Sequence, residues 1–173
     1  MADEQYPGLR EFIAARGQAL SRAAYLLTGD HGLAEDLVQS AMMRVLRHWK
    51  KMGDTGPEAY VRRIIYHLYL SRRRRRRVPE LLTARVPELA TTDPYLASTL
   101  RISLDRALTA LSPRQRAVLV LRYYEDLTEA DAAAVLNCSV GAVKRYAHEG
   151  LARLRQVAPH LVDFAPVVEK VGR

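Results

Sequence analysis

The sequence contains a single cysteine, Cys138, among 173 residues. One thiol cannot form an internal disulfide, and it cannot supply the several thiolates of a Cys-rich zinc site. Cys138 lies just before a predicted helix, where a small buried filler is the simpler role and a redox sensor is the alternative. Disulfide-stabilised and Cys-rich zinc domains are therefore excluded.

The motifs of common enzyme active sites are also missing. The sequence has no glycine-rich phosphate loop, no HExxH motif and no nucleophile elbow, and its five histidines are scattered. The "HEG" at 148–150 has no partner ligand. We therefore predict no catalytic residues, no metal site and no cofactor.

Long apolar segments are absent as well. No run approaches the roughly 20 apolar residues of a membrane span. Residues 1–20 contain early acidic residues and lack the apolar core of a signal peptide. The sequence predicts a cytoplasmic protein with no membrane insertion.

Positive charge, in contrast, is plentiful. Lys and Arg number 27 against 19 Asp and Glu, a net charge of +8. Such a balance favours an acidic partner, nucleic acid or an anionic membrane, although it also serves solubility. The net charge is +7 over residues 1–77, −2 over 78–98 and +3 over 99–173. The chain thus has two basic parts and an acidic connection.

Apolar residues at helical spacing predict three helices in the first basic part, residues 1–77. The first begins near residue 9 and ends at Gly29, and Asp30 caps the second. The third begins at Pro57 and ends in "SRRRRRR". Three such helices make one small all-α domain.

Residues 78–98 contain three prolines and no sustained period, which is typical of a linker. Beyond them, helical spacing resumes, and "SPRQ" at Ser112 and "TEAD" at Thr128 predict capping boxes. Ser139 then caps a further helix. Two short helices joined by a tight turn predict a helix-turn-helix.

The last helix, "VGAVKRYAHEGLARLR" at 140–155, has one apolar face. The opposite face comprises Ala142, Lys144, Arg145, His148 and Glu149. In a helix-turn-helix the first turns of this helix enter the DNA major groove. Bundle helices also place Lys and Arg toward solvent, so periodicity alone leaves both interpretations open.

The arginine run after Ser71 has several possible roles. Six consecutive arginines can form a phosphate-binding surface, a solvated helix end or a localisation-like patch, and we favour phosphate binding. Tyr60, Tyr66, His67 and Tyr69 lie on or beside the same helix, and rings among arginines suit stacking on unpaired bases. Tyr60 is equally compatible with the core.

Three segments in this order resemble bacterial extracytoplasmic-function (ECF) sigma factors. They are "AYLLTGDHGLAEDLVQSAMMRVLRHW", "PEAYVRRIIYHLYLSRRRR" and "LSPRQRAVLVLRYYEDLTEADAAAVLNCSVGAVKR…LARLR". "AYLLTGD" and "AYVRR" are similar to the actinobacterial SigE-like group. The resemblance covers about residues 9–157. It implies an all-α fold with sigma region 2 at 1–77, a flexible linker at 78–98, region 4 at 99–157 and a tail at 158–173.

The resemblance also implies partners and residue roles. The partners are core RNA polymerase, through its β′ coiled coil and β flap, and promoter DNA, with an anti-sigma factor left open. Glu35, Asp36, Gln39 and Arg44 would bind polymerase, unless they are a solvated helix start. The −10 element would be bound and opened by Arg62, Arg63, Tyr66, His67, Arg72, Arg73, Arg74 and Arg75. The −35 element would be bound by Ser139, Ala142, Lys144, Arg145 and His148.

Some positions depart from the family pattern. His67 stands where Asn is common and Ser71 where Asp is frequent, and Tyr146 and Glu149 replace commoner polar or basic residues. The promoter sequence therefore cannot be carried over. The other functions left open are a stand-alone helix-turn-helix regulator and, behind it, an RNA-binding or scaffold module.

Overall fold

The structure, a computed structural model, describes residues 6–49, 56–76 and 104–159, with the main chain alone for 75 and 76. Within these ranges the chain is helical apart from short connections, and none of the described residues lies in a β-strand. The predicted all-α class is confirmed. The predicted linker and the tail beyond residue 159 lie outside the described residues.

The first unit consists of three helices, as predicted. They are α1 (Leu9–Thr28), α2 (His31–Leu46) and α3 (Pro57–Arg76). Gly29 ends α1 with a φ of 71°, and its N–H donates to the Tyr25 carbonyl at 2.7 Å. The Asp30 carboxylate caps α2 by accepting from the Leu33 N–H at 2.7 Å. A left-handed glycine and an Asp cap in succession reverse the chain within two residues.

The second unit is built from shorter helices. Residues 104–109 are helical, and α4 (Pro113–Leu119), a π-helical segment (Val120–Tyr124), α5 (Glu129–Leu136) and α6 (Val140–Val157) follow. Ser112, Thr128 and Ser139 each accept a backbone N–H of the first turn, as predicted. The full capping box is present at Ser112, whose N–H donates to Gln115 Oε1, whereas the Thr128 hydroxyl donates to the Asp131 carboxylate. The π-helical segment was not predicted. It ends where the Glu125 N–H donates to the Val120 carbonyl at 3.0 Å.

Helices α5 and α6 form the predicted helix-turn-helix. Asn137 closes α5 in the left-handed region, with a φ of 52°, and Ser139 opens α6 two residues later. Ala132 and Ala133 are buried, and these small side chains allow close helix packing. Cys138 in the turn is half-buried and packs against the core, which agrees with its predicted role as a filler.

The two units share one hydrophobic core. Its buried members come from both sides of the linker: Leu27, Leu37, Val45, Val61 and Ile65 from the first unit, and Val118, Leu121, Leu136 and Val143 from the second. A smaller cluster of Leu108, Leu111 and Leu119 lies beside it and contacts Leu26 of α1. The second unit is therefore docked on the first.

Gly150 lies where α6 crosses α4 closely. A Cβ at this position would lie 3.0 Å from Leu119 Cδ1 and 3.4 Å from Gln115 Cβ. We expect Gly150→Ile to lower the free energy of unfolding by about 1–3 kcal/mol, because the added carbons overpack this crossing. Urea unfolding followed by circular dichroism measures the change.

Gly141 provides the matched control on the same helix. A Cβ there meets only Ser139 Oγ, at 3.9 Å. Gly141→Ala should leave stability unchanged or raise it by up to about 1 kcal/mol, since alanine favours the helix. Equal stability of Gly150→Ile and the parent would contradict the close crossing.

Candidate nucleic-acid interface

Helix α3 divides its predicted DNA-binding residues between two environments. Arg63, His67, Arg73 and Arg74 are exposed, whereas Arg72 is half-buried and donates to Ser40 Oγ of α2 at 3.0 Å. The side chain of Arg75 lies outside the described residues. Arg62 and Tyr66 face the second unit instead of solvent. The exposed Arg63, Arg73 and Arg74 form a basic ridge that is open to solvent. Arg62 and Tyr66, on the inner side of α3, are not part of it.

Tyr66 is the clearest departure from the sequence prediction. Its side chain is 0% exposed, and Tyr69 is also buried, so neither ring is an open stacking platform in this conformation. The reason is the docked second unit, which covers this side of α3. Of the four aromatic residues named for the helix, only the His67 ring is exposed, and its Nε2 lies 2.9 Å from the Val135 carbonyl of α5.

Glu125 covers the inner residues of α3 with a carboxylate. One oxygen accepts a hydrogen bond from Tyr66 Oη at 2.7 Å, and the other pairs with Arg62 Nε. The Glu125 side chain is only 8% exposed and that of Arg62 13%. We call this three-residue arrangement the Glu125 contact.

The Glu125 contact continues into an ion-pair network. Arg62 Nη2 also donates to Glu58 Oε1 at 2.7 Å, one turn earlier on α3, and Glu58 pairs in turn with Arg16 of α1. Burial opposes the charge of Arg62, but Glu125 and then Glu58 outweigh it and raise its pKa. Burial and then the charge of Glu125 raise the pKa of Tyr66 well above its ordinary value, so the hydroxyl stays protonated and donates.

Arg116 of α4 occupies the other end of the interface between the units. It is 2% exposed, and its Nε donates to the Leu26 carbonyl in the last turn of α1 at 2.5 Å. Its Nη2 has no hydrogen-bond partner among the described residues. Burial lowers the pKa of Arg116. The guanidinium lies 3.2 Å from where a Cβ of residue 29 would be, so glycine at this position also makes room for it.

A basic cleft of about 390 Å³ separates α3 from the second unit. Its lining includes His67, Arg73 and Arg74 of α3 with Arg114, Asn137 and Tyr146 of the second unit. Docking therefore gathers cations from both units along one opening, in line with the net positive charge of each predicted domain.

The predicted face of α6 is open. Ser139, Lys144, Arg145 and His148 are exposed, and Ala142 is half-buried in the first turn. Lys144 Nζ lies 3.5 Å from Glu129 of α5, and Arg145 Nε lies 3.9 Å from Glu149. The Arg145 guanidinium also lies over the Tyr146 ring, 5.0 Å from its centroid. These contacts orient the cations but leave them accessible, because exposed ion pairs are weak.

The predicted polymerase-binding residues of α2 are also accessible. Glu35, Asp36, Gln39 and Arg44 are exposed, and Gln39 Nε2 donates to Glu35 Oε1 at 3.2 Å. Met43, which the sequence prediction did not include, is 59% exposed beside Arg44. An apolar side chain among polar neighbours is a common feature of protein interfaces.

Known proteins match both units. The family models described as Sigma-70 region 2 and Sigma-70, region 4 match residues 12–78 and 101–154. The sigma-E factor of Streptomyces avermitilis is 34% identical over 157 residues, which cover 90% of this chain and 88% of that protein. The ECF sigma factor SigL of Mycobacterium tuberculosis is 30% identical over 153 residues, 85% of this chain and 86% of that protein. The chain belongs to the ECF sigma factors.

A solved structure supports the fold independently. The sigma factor RpoE of Bartonella quintana, crystallised with the anti-sigma factor NepR, aligns with a TM-score of 0.65 at 23% identity. The alignment covers 86% of this chain and 94% of that one. At 23% identity the alignment supports the fold of this sigma factor but says nothing of its contacts with other molecules.

The family match assigns each surface of this sigma factor to a region. The α2 face and the α3 ridge lie in region 2, and the α6 face lies in region 4. The Glu125 contact therefore joins region 4 to the part of region 2 predicted to bind the −10 element. Among the described helices, none is long and apolar enough to cross a membrane.

Sequence reasoning missed Glu125 and Arg116 because their partners are distant in the chain. Glu125 lies 59 residues from Tyr66, and Arg116 lies 90 residues from Leu26. One local signal was present: Arg62, Tyr66 and Tyr69 recur at spacings of four and three. This spacing indicates a second buried stripe on α3 beside Val61, Ile65 and Leu68.

Proposed function

We propose that this sigma factor binds core RNA polymerase through the α2 face and brings it to promoters through two DNA-binding surfaces. Helix α3 and its arginines bind and open the −10 element, and α6 binds the −35 element. The supporting observation is that one chain presents an open polar face on α2, a basic ridge on α3 and a basic recognition helix, in region 2 and region 4 order.

The chemistry of transcription stays with the polymerase in this proposal. The sigma factor contributes positioning, phosphate contacts and capture of unpaired bases, and it needs no catalytic residue, metal or cofactor. The described residues contain no group of three or more His, Cys, Asp or Glu side chains suited to a metal ion. Its place of action would be the cytoplasm, where the polymerase is.

Each surface has a distinct physical role. The arginine ridge neutralises phosphates, so its binding should weaken steeply with salt and depend little on sequence. Arg145 and Lys144 can reach base edges from the major groove, because Ala142 and Gly141 beside them are small. The α2 face is acidic at Glu35 and Asp36 and basic at Arg44, a charge pattern that favours one orientation of a partner.

Transcription from a promoter library tests the proposal as a whole. The 173-residue protein and Streptomyces core polymerase are mixed with DNA carrying two randomised elements about 20 bp apart, roughly two helical turns. We expect transcripts from an enriched pair of elements, and weak binding of the same DNA without core in a gel-shift assay. Tight binding without core, and no transcript, would instead identify a stand-alone regulator.

Arg145→Ala tests the α6 assignment. Loss of a base-edge contact should weaken use of the enriched −35 element by about 1–3 kcal/mol. The readout is run-off transcription from the enriched promoter and from single-base variants of its −35 element. Arg153→Ala is the control, since Arg153 is exposed near the other end of α6. If both variants lose activity equally, Arg145 does not contact the −35 element in the proposed way.

Asp36→Arg tests the α2 assignment. The change inverts the charge of an exposed residue without touching the buried stripe of α2, so it should reduce binding to core by at least tenfold while helicity is retained. Pull-down of core by tagged sigma factor measures the effect. Glu11→Arg, an equal charge inversion at an exposed residue of α1, should bind like the parent. If Asp36→Arg captures as much core polymerase as the parent, the assignment of α2 to the polymerase interface is wrong.

A further inference from the structure

The basic cleft between α3 and region 4 contains a cation that the proposed promoter contacts do not use. Arg73 and Arg74 line the cleft from region 2, and Arg114 lines it from the first turn of α4 in region 4. All three side chains are exposed. Because Arg114 has no part in the proposed promoter contacts, its position opposite the α3 arginines is not explained by them.

The described lining of the cleft contains no negative charge. It includes three arginines and His67 but no Asp or Glu. In contrast, Arg62 on the inner side of α3 is paired with both Glu58 and Glu125. In the described part of the chain, none of the three cleft arginines is paired with a carboxylate. The cleft therefore has an excess of positive charge that a bound anion can neutralise.

Arg116 adds a further positive charge near the cleft. It is 2% exposed and follows Arg114 by two residues on α4. Burial lowers the pKa of Arg116, Tyr69 offsets part of this effect, and the positive charge of Arg73 lowers the pKa further. Arg73 and Arg116 therefore repel each other, and an anion beside Arg73 would reduce this repulsion.

Contacts between the two units hold the sides of the cleft in place. His67 Nε2 lies 2.9 Å from the Val135 carbonyl of α5, so this contact joins α3 to region 4. The Arg114 guanidinium lies 6.0 Å from the centroid of the Tyr146 ring, a distance at which a cation and a ring attract each other. Tyr146 is half-buried and also lines the cleft, where its ring could stack on a base.

Charge and size indicate the class of anion. Guanidinium groups bind phosphate oxygens through paired N–H donors. A single phosphate carries roughly two negative charges near neutral pH and a linked pair carries about three, which matches the three arginines of the lining. The cleft volume of about 390 Å³ lies within the range of roughly 300–1,000 Å³ that is usual for small-molecule sites. A diphosphate group therefore suits the cleft better than a single phosphate.

We propose that the basic cleft binds a small anion with a diphosphate group, inorganic pyrophosphate or a nucleoside diphosphate, through arginines of both regions. The site goes beyond the proposed function, because its binding needs neither a promoter nor polymerase. A nucleic-acid strand that follows the α3 ridge would also contact Arg63, which does not line the cleft. A small anion would contact the lining alone.

Isothermal titration calorimetry of the 173-residue protein with pyrophosphate tests the site. The buffer contains no divalent cations and about 0.15 M salt, which screens exposed charges. Arg74→Gln is compared with Arg63→Gln on α3, and Arg114→Gln with Arg106→Gln in the second unit. Each variant removes one exposed positive charge, but of these four residues only Arg74 and Arg114 line the cleft. Circular dichroism checks that each variant keeps its helicity.

Pyrophosphate should bind the parent at a single site. Arg74→Gln and Arg114→Gln should each weaken its binding by at least about tenfold, because each removes charge-assisted hydrogen bonds. Arg63→Gln and Arg106→Gln should stay within about twofold of the parent. Equal losses in all four variants would reduce the effect to net charge, and a loss in Arg74→Gln without one in Arg114→Gln would confine it to α3. Either result overturns the site.

Three further ligands identify the anion. Sulfate at equal ionic strength should bind at least about tenfold more weakly than pyrophosphate, and equal affinities would overturn the diphosphate assignment. ADP that binds more tightly than pyrophosphate identifies a nucleoside diphosphate with its base on Tyr146, whereas ADP that binds no more tightly identifies pyrophosphate. If a mixed-sequence single strand of DNA binds and pyrophosphate does not, the cleft is a nucleic-acid surface and the proposal is wrong.

The proposal is also wrong if none of these ligands binds. That result would leave the sigma-factor role intact, since the promoter-library experiment tests it separately. If instead the promoter library gives no transcript, the titrations still decide whether the cleft binds a diphosphate, because they use no polymerase.

Discussion

The packing of α3 against region 4 determines which surfaces of this sigma factor are open. Val61, Ile65 and Leu68 bury one side of the helix in the common core, and Tyr66 and Tyr69 bury a second side. A helix covered on two sides keeps only a narrow outer strip, and here that strip holds Arg63, His67, Arg73 and Arg74. The accessible side of α3 is therefore determined by the packing of the two units against each other.

Two buried arginines at the interface between the units differ in how well their charges are compensated. Arg62 is paired with two carboxylates, so its charge is well compensated while the units are docked. Arg116 donates to the Leu26 carbonyl at the negative end of α1, and burial still lowers its pKa, because Tyr69 and Asp105 offset that burial only in part. Removing one partner of a buried pair is costly, but separating the units returns all of these groups to water. The polar groups thus determine the register of docking, and the apolar contacts supply most of its free energy.

Much of the fold follows from local sequence, and the interface does not. The caps at Asp30, Ser112, Thr128 and Ser139 are side-chain bonds to an N–H three residues away, so the sequence predicts them directly. The exposed faces of α2 and α6 could be predicted, because the helical period and the positions of the apolar residues show which side of each helix is buried. Burial of Tyr66 depends on Glu125, 59 residues further on, and neither period nor capping contains that information. The π-helical segment that precedes Glu125 is likewise not indicated by the helical period or by the capping residues.

The linker decides how strong the docking must be. By sequence it has about 21 residues, which at full extension reach roughly 70 Å, enough to let the units dock or to span two promoter elements. Tethering over such a length gives an effective concentration on the order of 1 mM. A docking surface with an intrinsic Kd of only about 0.1 mM would then be closed roughly ten times as often as open. Polymerase would then need to favour the open form by little more than that factor, so docking of this strength would hold the units together and still yield to assembly.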